Sequence, residues 1–262
     1  MKNWPKAAER MESNMMTGLK LMNQLVDELN DLGLPNMAAT LDSLYRSERF
    51  MNIDKLSLIA ELVEPEYKEK MTIRINGRLR KSRLIGGPQD LEQCADSIER
   101  EYLPYGITST LSTMDFITNG LNICILGSSD SGKTYLAKAI GLKACDNYRV
   151  QYHHCESLLE ELVALKVNDY SKYQRKTKAC INLDLLILDD FLLHTITDER
   201  EIKVLFELLE KRSELSRSTI VCSQREPKSW AAMILNDEVS ANAIMKRATK
   251  HYTLVINSKS IG

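Results

Sequence analysis

The sequence predicts an α/β chain in which a parallel sheet flanked by helices follows a small N-terminal α-helical domain. Three observations carry that reading. An apolar run, Ile123-Cys124-Ile125-Leu126, enters Gly127-Ser128-Ser129-Asp130-Ser131-Gly132-Lys133-Thr134 and then a helical pattern from Tyr135 to Ile140. A second apolar stretch, Leu183 to Leu188, ends in the paired carboxylates Asp189-Asp190. Around these, apolar runs of strand length alternate with segments of helical period, the pattern of parallel strands joined by crossover helices.

In chain order, Leu21, Leu25, Leu29 and Leu32 fall at helix spacing before the break at Gly33-Leu34-Pro35. A second helix is expected from Asn36 to Phe50 with Met37, Leu41 and Leu44, and a third from Asp54 through Leu56, Ile59, Leu62 and Val63. Tyr67 to Leu84 carries Lys68, Lys70, Arg74, Arg78, Arg80, Lys81 and Arg83 against one acid, Glu69, with Met71, Ile75, Leu79 and Leu84 along an apolar stripe. This is a basic amphipathic helix. Its cations fit a solvated face and a phosphate-backbone contact equally well; on the second reading Arg74, Arg78, Arg80, Lys81 and Arg83 touch DNA. Gly86-Gly87-Pro88 reads as a linker and Asp90 to Tyr102 as a further polar helix, so the domains are expected at 1–105 and 106–262.

The second domain opens with a short helix at Met114 to Ile117. After the glycine-edged loop come a strand at Arg149 to His153, a helix from Glu156 to Val167, the strand ending at Asp190 and a helix from Asp198 to Arg212. A strand from Ser218 to Ser223 with Gln224 at its exit, a helix from Ser240 to Lys250 and a last strand at Thr253 to Ile256 complete five strands.

The loop has the chemistry of a polyphosphate cradle. Gly127 and Gly132 let backbone N–H groups converge, the following helix adds its positive dipole end, Lys133 reaches the β/γ oxygens and the Thr134 hydroxyl can coordinate Mg²⁺. Ser128, Ser129, Asp130 and Ser131 complete the loop. Asp189 is placed to share the Mg²⁺ shell with Thr134, and Asp190 to accept a proton from an attacking water. Gln224, a polar residue at a strand exit, fits either a γ-phosphate contact or a side chain bonded within its own turn. ATP and Mg²⁺ are the cofactors this constellation calls for.

Composition sets outer bounds. With 262 residues and 44% apolar content the chain can bury a sizeable core. The net charge of −1 provides no global basic field, so nucleic-acid binding would have to come from local patches. No apolar run approaches a membrane span and Met1 to Arg10 lacks a secretory apolar segment, so a cytoplasmic address without membrane contact is expected. The six cysteines form no C-x-x-C pair and are read as reduced structural thiols. His153-His154 beside Cys155 is not read as zinc-binding, because neighbouring strand positions face opposite ways.

With loop, paired acids and Ser223-Gln224 together, the chain resembles the AAA+ ATPases of the DnaC/DnaA group, and within it the IstB-type transposition helper ATPases. More specific segments also match: Leu25 to Ala38, which resembles the family's opening helix pair, Leu79-Arg80-Lys81-Ser82-Arg83-Leu84, Asp115-Phe116-Ile117 ahead of Asn122-Ile123, Leu188-Asp189-Asp190-Phe191, and Arg217 to Gln224. The resemblance implies a P-loop AAA+ ATPase that self-associates on duplex DNA and helps a transposase select or prepare its target. It also implies that Asp189 and Asp190 are the Walker B acids, Gln224 is sensor I, and Arg247 is a finger lent to a neighbouring subunit's nucleotide. A DnaC-like replicative helicase loader is the alternative, sharing every catalytic residue. Two departures stand out. Asp130 occupies a place where the family often has a third glycine, and the chain reads Ser260-Ile261-Gly262 where the family continues through Ser-Met-Arg, so a C-terminal sensor arginine is expected to be either missing or truncated.

Overall fold

Strand and helix alternate from residue 100 onward because apolar β-branched runs there are separated by amphipathic segments long enough to cross back over a sheet. The computed structural model describes residues 4–84, 90–97, 99–234 and 238–258. The expected linker Gly86-Gly87-Pro88 and the terminal Ser260-Ile261-Gly262 lie outside them. Two compact units result, Met1–Arg74 and Ile75–Gly262. The expected boundary after residue 105 thus lies inside the second unit.

The first unit holds α1 (Trp4–Asp31), α2 (Pro35–Tyr45) and the start of α3 (Lys55–Ser82). Its core uses Met22, Ala38, Leu41 and Leu44, whereas Leu21, Leu25 and Leu32, which fall at helix spacing, are exposed. Helix α1 carries two apolar rows, and Met22, Val26 and Leu29 share the spacing that turns toward α2. Leu34 offers α2 no side-chain cap, so buried Glu66 of α3 accepts the N–H of Asn36 at 2.9 Å and of Met37 at 3.3 Å. Lys70 binds Glu66 at 3.3 Å and donates to the Gly33 carbonyl at 2.9 Å, closing the turn. The two helices expected at 54–63 and 67–84 are one, with Pro65 inside α3.

The second unit is built on a six-stranded sheet in the order β1-β6-β2-β5-β4-β3, comprising β1 (Arg100–Leu103), β2 (Ile123–Gly127), β3 (Val150–His154), β4 (Leu185–Asp189), β5 (Ser218–Ser223) and β6 (Tyr252–Ser258). All pairings are parallel except β1 on β6. The expected five parallel strands are present, and the sixth replaces part of the helix expected at 90–102. There, polar side chains satisfy the backbone locally: Asp90 accepts from Glu92 N–H, Ser97 from Arg100 N–H, and Asp96 from Tyr102 N–H. The chain is therefore free to pair with β6 instead of winding into a helix.

The remaining helices are α4 (Ile107–Ser112), α5 (Asp115–Thr118), α6 (Lys133–Ala144), α7 (Cys155–Asn168), α8 (Tyr170–Asn182), α9 (Glu199–Glu214) and α10 (Glu238–Thr249). Strand alternation splits the core. Ile123 and Ile125 of β2 join Leu136, Ile140 and Leu84 on one face, while Cys124 and Leu126 join Leu158, Leu162, Leu205 and Ile244 on the other. Helix α8 was not expected, since it buries only Tyr173, Thr177 and Cys180 along an otherwise polar segment. All six cysteines are free and buried. Fully buried Arg212 of α9 donates to the carbonyls of Cys180 at 2.6 Å and Leu183 at 3.0 Å and to Thr219 Oγ1 at 3.0 Å, tying α8, β4 and β5 together.

Candidate nucleotide site

Parallel strands end together, and β2, β5 and β4 deliver Gly127, Ser223 and Asp189 to one edge of the sheet. There the chain must leave β2 and enter α6 through a tight loop. A Cβ at Gly127 would stand 2.5 Å from Ser131 Oγ and 2.7 Å from the Ile256 carbonyl oxygen, so no side chain fits. Gly132, at φ +101°, caps α6 in a conformation that L side chains rarely adopt. The N-terminus of α6 therefore points its free N–H groups into the loop.

Lys133 is buried and folds back to donate to the Ser128 carbonyl at 2.6 Å. Desolvation pulls its pKa below the usual lysine value, against the field of Asp189, Asp190 and Asp130. Asp130, at φ +59°, is exposed, and its Oδ2 accepts from Ser129 Oγ at 3.5 Å. Among the flanking residues Ser128 lies on the surface, and buried Ser131 Oγ has no hydrogen-bond partner among the described residues.

Asp189 ends β4 almost completely buried, at 1% exposure. Its Oδ2 accepts from Thr134 Oγ1 at 2.7 Å and from Tyr152 Oη at 2.6 Å, and its Oδ1 accepts from Asp190 N–H at 3.0 Å. A hydroxyl and a carboxylate in contact beside the loop form a hard-oxygen pair, which fits Mg²⁺ completed by phosphate and water oxygens. No cluster of three or more His, Cys, Asp or Glu that could hold a metal occurs among the described residues. Asp190 turns out of the strand at φ +52° and meets His154 Nδ1 at 3.2 Å. His153 lies on the opposite side of β3, buried between Arg83 and Gln151.

Strand β5 lies between β2 and β4, so Gln224, one residue beyond the Leu126–Ser223 pairing, stands level with Gly127. It is exposed and lines a cavity of about 600 Å³ with Gly127, Ser128, Arg225 and Lys228. Arg247 is elsewhere. Its carbonyl accepts from Asn122 Nδ2 at the opposite, entering end of β2, and its guanidinium pairs with Glu210 and lies 5.1 Å over the Phe206 ring.

Two further residues gather here that sequence reasoning missed, Tyr152 and His154. The signal lay in the register: β3 pairs with β4 through His154 and Asp189, and only that pairing tells which residues of β3 face the acids. The five cations expected on DNA divide. Arg78 donates to the carbonyls of Cys145 at 3.3 Å and Asp146 at 2.5 Å, closing the end of α6, and Arg83 meets His153 at 3.3 Å. Arg74, Arg80, Lys81 and also Arg83 are exposed, with Arg80 Nε donating within its own helix to the Asn76 carbonyl at 3.4 Å. Leu79 and Leu84 of the apolar stripe pack into the second unit's own core.

A family model described as IstB-like ATP binding protein matches residues 27–261. The chain belongs to that family. Relatives of the family include y4pL of Sinorhizobium fredii, named as an insertion sequence ATP-binding protein, 31% identical over 87% of this chain and 90% of its own length. The IS21 ATP-binding protein of Pseudomonas aeruginosa is 25% identical over 88% and 85%. Among solved structures, AMPPCP-bound DnaA from Aquifex aeolicus superposes with a TM-score of 0.52 at 21% identity, over 66% of this chain and 51% of that one. Domain III of DnaA from Thermotoga maritima gives 0.52 at 19% identity, over 66% and 68%. These place this IstB-family fold with the DnaA-like AAA+ proteins, with a mostly parallel sheet flanked by helices. No described helix is long and apolar enough to cross a membrane.

Proposed function

We propose that this chain is a Mg²⁺-dependent ATPase that self-associates on duplex DNA and assists a transposase in choosing or preparing its target. The observation that carries the ATPase reading is the contact of Thr134 with Asp189 beside the phosphate loop, with the Asp190 carboxylate turned instead to His154. The family's insertion-sequence relatives support the transposition setting.

On this reading the N–H groups from Gly127 to Thr134 cradle the polyphosphate and Lys133 leaves the Ser128 carbonyl to serve the β/γ oxygens. Thr134 and Asp189 hold Mg²⁺, which when bound screens phosphate charge. Asp190 accepts the proton of the attacking water and Gln224, level with Gly127, orients that water or the γ-phosphate. Arg247 exchanges Glu210 for phosphate on a neighbouring subunit's nucleotide. Arg74, Arg80 and Lys81 supply phosphate-backbone contacts to DNA.

Nucleotide binding and turnover, measured with and without duplex DNA, test the assignment. Lys133→Ala should abolish ATP binding. Asp190→Asn should keep binding and lose turnover by about a hundredfold or more, the range of a general base. Wild-type hydrolysis by Asp190→Asn would overturn the catalytic role.

A further inference from the structure

Strand β1 brings a cation to the phosphate loop that no motif announces. Its first residue, Arg100, pairs with Ser258 of β6, and Ser258 Oγ stands 3.4 Å from Ser128 Oγ of the loop. The guanidinium lies against the open face of Gly132: a Cβ there would be 3.4 Å from Arg100 Nε and 3.5 Å from Cζ. These are contact distances, so the Arg100 side chain packs directly beside Gly132.

Arg100 differs from other arginines without an ion pair, such as exposed Arg74 and Arg175, in being half-buried. Arg149 and Arg217 share Asp184, Arg200 binds Asp198 and Arg46 binds Asp42. The half-buried Arg100 guanidinium has no hydrogen bond or ion pair among the described residues. Holding a cation at partial burial without a counter-charge is unfavourable unless an anion binds there.

We infer that Arg100 is a further nucleotide-binding residue, donating in cis to the α- or β-phosphate of a bound nucleoside di- or triphosphate. This rests on the ATP reading of the loop. Lys133, next in sequence to Gly132, serves the β/γ end, which leaves the Gly132 side to the phosphates that ATP and ADP share. A planar guanidinium can give two parallel bonds to such a group.

Fluorescent ATP and ADP analogues titrated into the full chain test this, with wild type, Arg100→Ala, Arg100→Lys and Lys133→Ala compared. Arg100→Ala should weaken ATP and ADP alike by about tenfold to a hundredfold, the factor for one charge-assisted hydrogen bond. Arg100→Lys should recover part of it. Thermal melting without nucleotide should match wild type, showing that the loss is not misfolding; should Arg100→Ala fail to fold, Arg100→Lys and Arg100→Gln carry the comparison. Unchanged affinity, or a loss confined to ATP, overturns the assignment. If wild type binds neither nucleotide, or Lys133→Ala binds as well as wild type, the ATP reading fails; a weakened Lys133→Ala beside an unaltered Arg100→Ala sinks only the inference about Arg100.

Discussion

Asp189 Oδ2 accepts two hydroxyls, from Thr134 and Tyr152, and the two donors have different fates in the proposed reaction. Thr134 turns to the metal, whereas Tyr152, buried beneath, continues to fix the carboxylate. Tyr152→Phe should therefore raise the Mg²⁺ concentration for half-maximal turnover by about tenfold, within the range for lost outer-shell partners, and leave the rate at saturating Mg²⁺ near wild type. Mn²⁺ titration followed by spin resonance reads the same change without turnover; an unaltered metal affinity would count against the role. His153 gives a pH signature. Burial, with Arg83 and Lys176 nearby, depresses its pKa from 6.5 to about 4. Between those values the unfolded chain binds a proton that the folded chain refuses, so stability falls as pH drops from 6.5 toward 4 and is flat above that window. The loss is on the order of 3 kcal/mol at most. Melting of His153→Gln across this range should show a shallower decline than wild type.

Helix α3 shows how one element divides its charges. Arg78 is spent on the carbonyl end of α6, so Arg78→Ala should lower the melting temperature, losing about 1–3 kcal/mol from acceptors left without their donor. Salt dependence of DNA binding should barely respond. Exposed Arg74, Arg80 and Lys81 should behave in the opposite way: their joint change to Ala should flatten the slope of log affinity against log salt by about two to three units, and alter melting little. Equal slopes for wild type and the triple variant would return these cations to a solvated face.

Across the whole molecule, Arg247 and the phosphate loop lie at opposite ends of β2, so one chain cannot bring them together through the strand that separates them. A finger role for Arg247 requires a second subunit and the opening of its pair with Glu210. Turnover should rise with protein concentration. Mixing Arg247→Ala with Lys133→Ala subunits should restore part of the activity at hybrid interfaces; if both assemble and none returns, Arg247 is a structural partner of Glu210. Electron microscopy with duplex DNA and a non-hydrolysable ATP analogue reads the assembly directly.

The site's backbone was legible because it is local. Gly127 to Thr134 is contiguous, a Cβ at Gly127 would meet Ser131 of the same loop, Gly132 takes a left-handed backbone, and Asp189-Asp190 end a run apolar enough to be buried on both faces. Those residues alone carried the expectation of a phosphate loop, a metal carboxylate and a base on which the proposed function rests. Tertiary structure decided what lies across strands. Asp90, Ser97 and Asp96 diverted a polar segment from helix into β1, which put Arg100 beside Gly132; the β3–β4 register put Tyr152 and His154 on the acids. It also decided which of two apolar rows on α1 turned inward, and which cations of α3 were taken up by carbonyls and which left to solvent. Periodicity reports that a face exists, and only the partner that packs against it, close enough to exclude water and match hydrogen bonds, fixes which face it is.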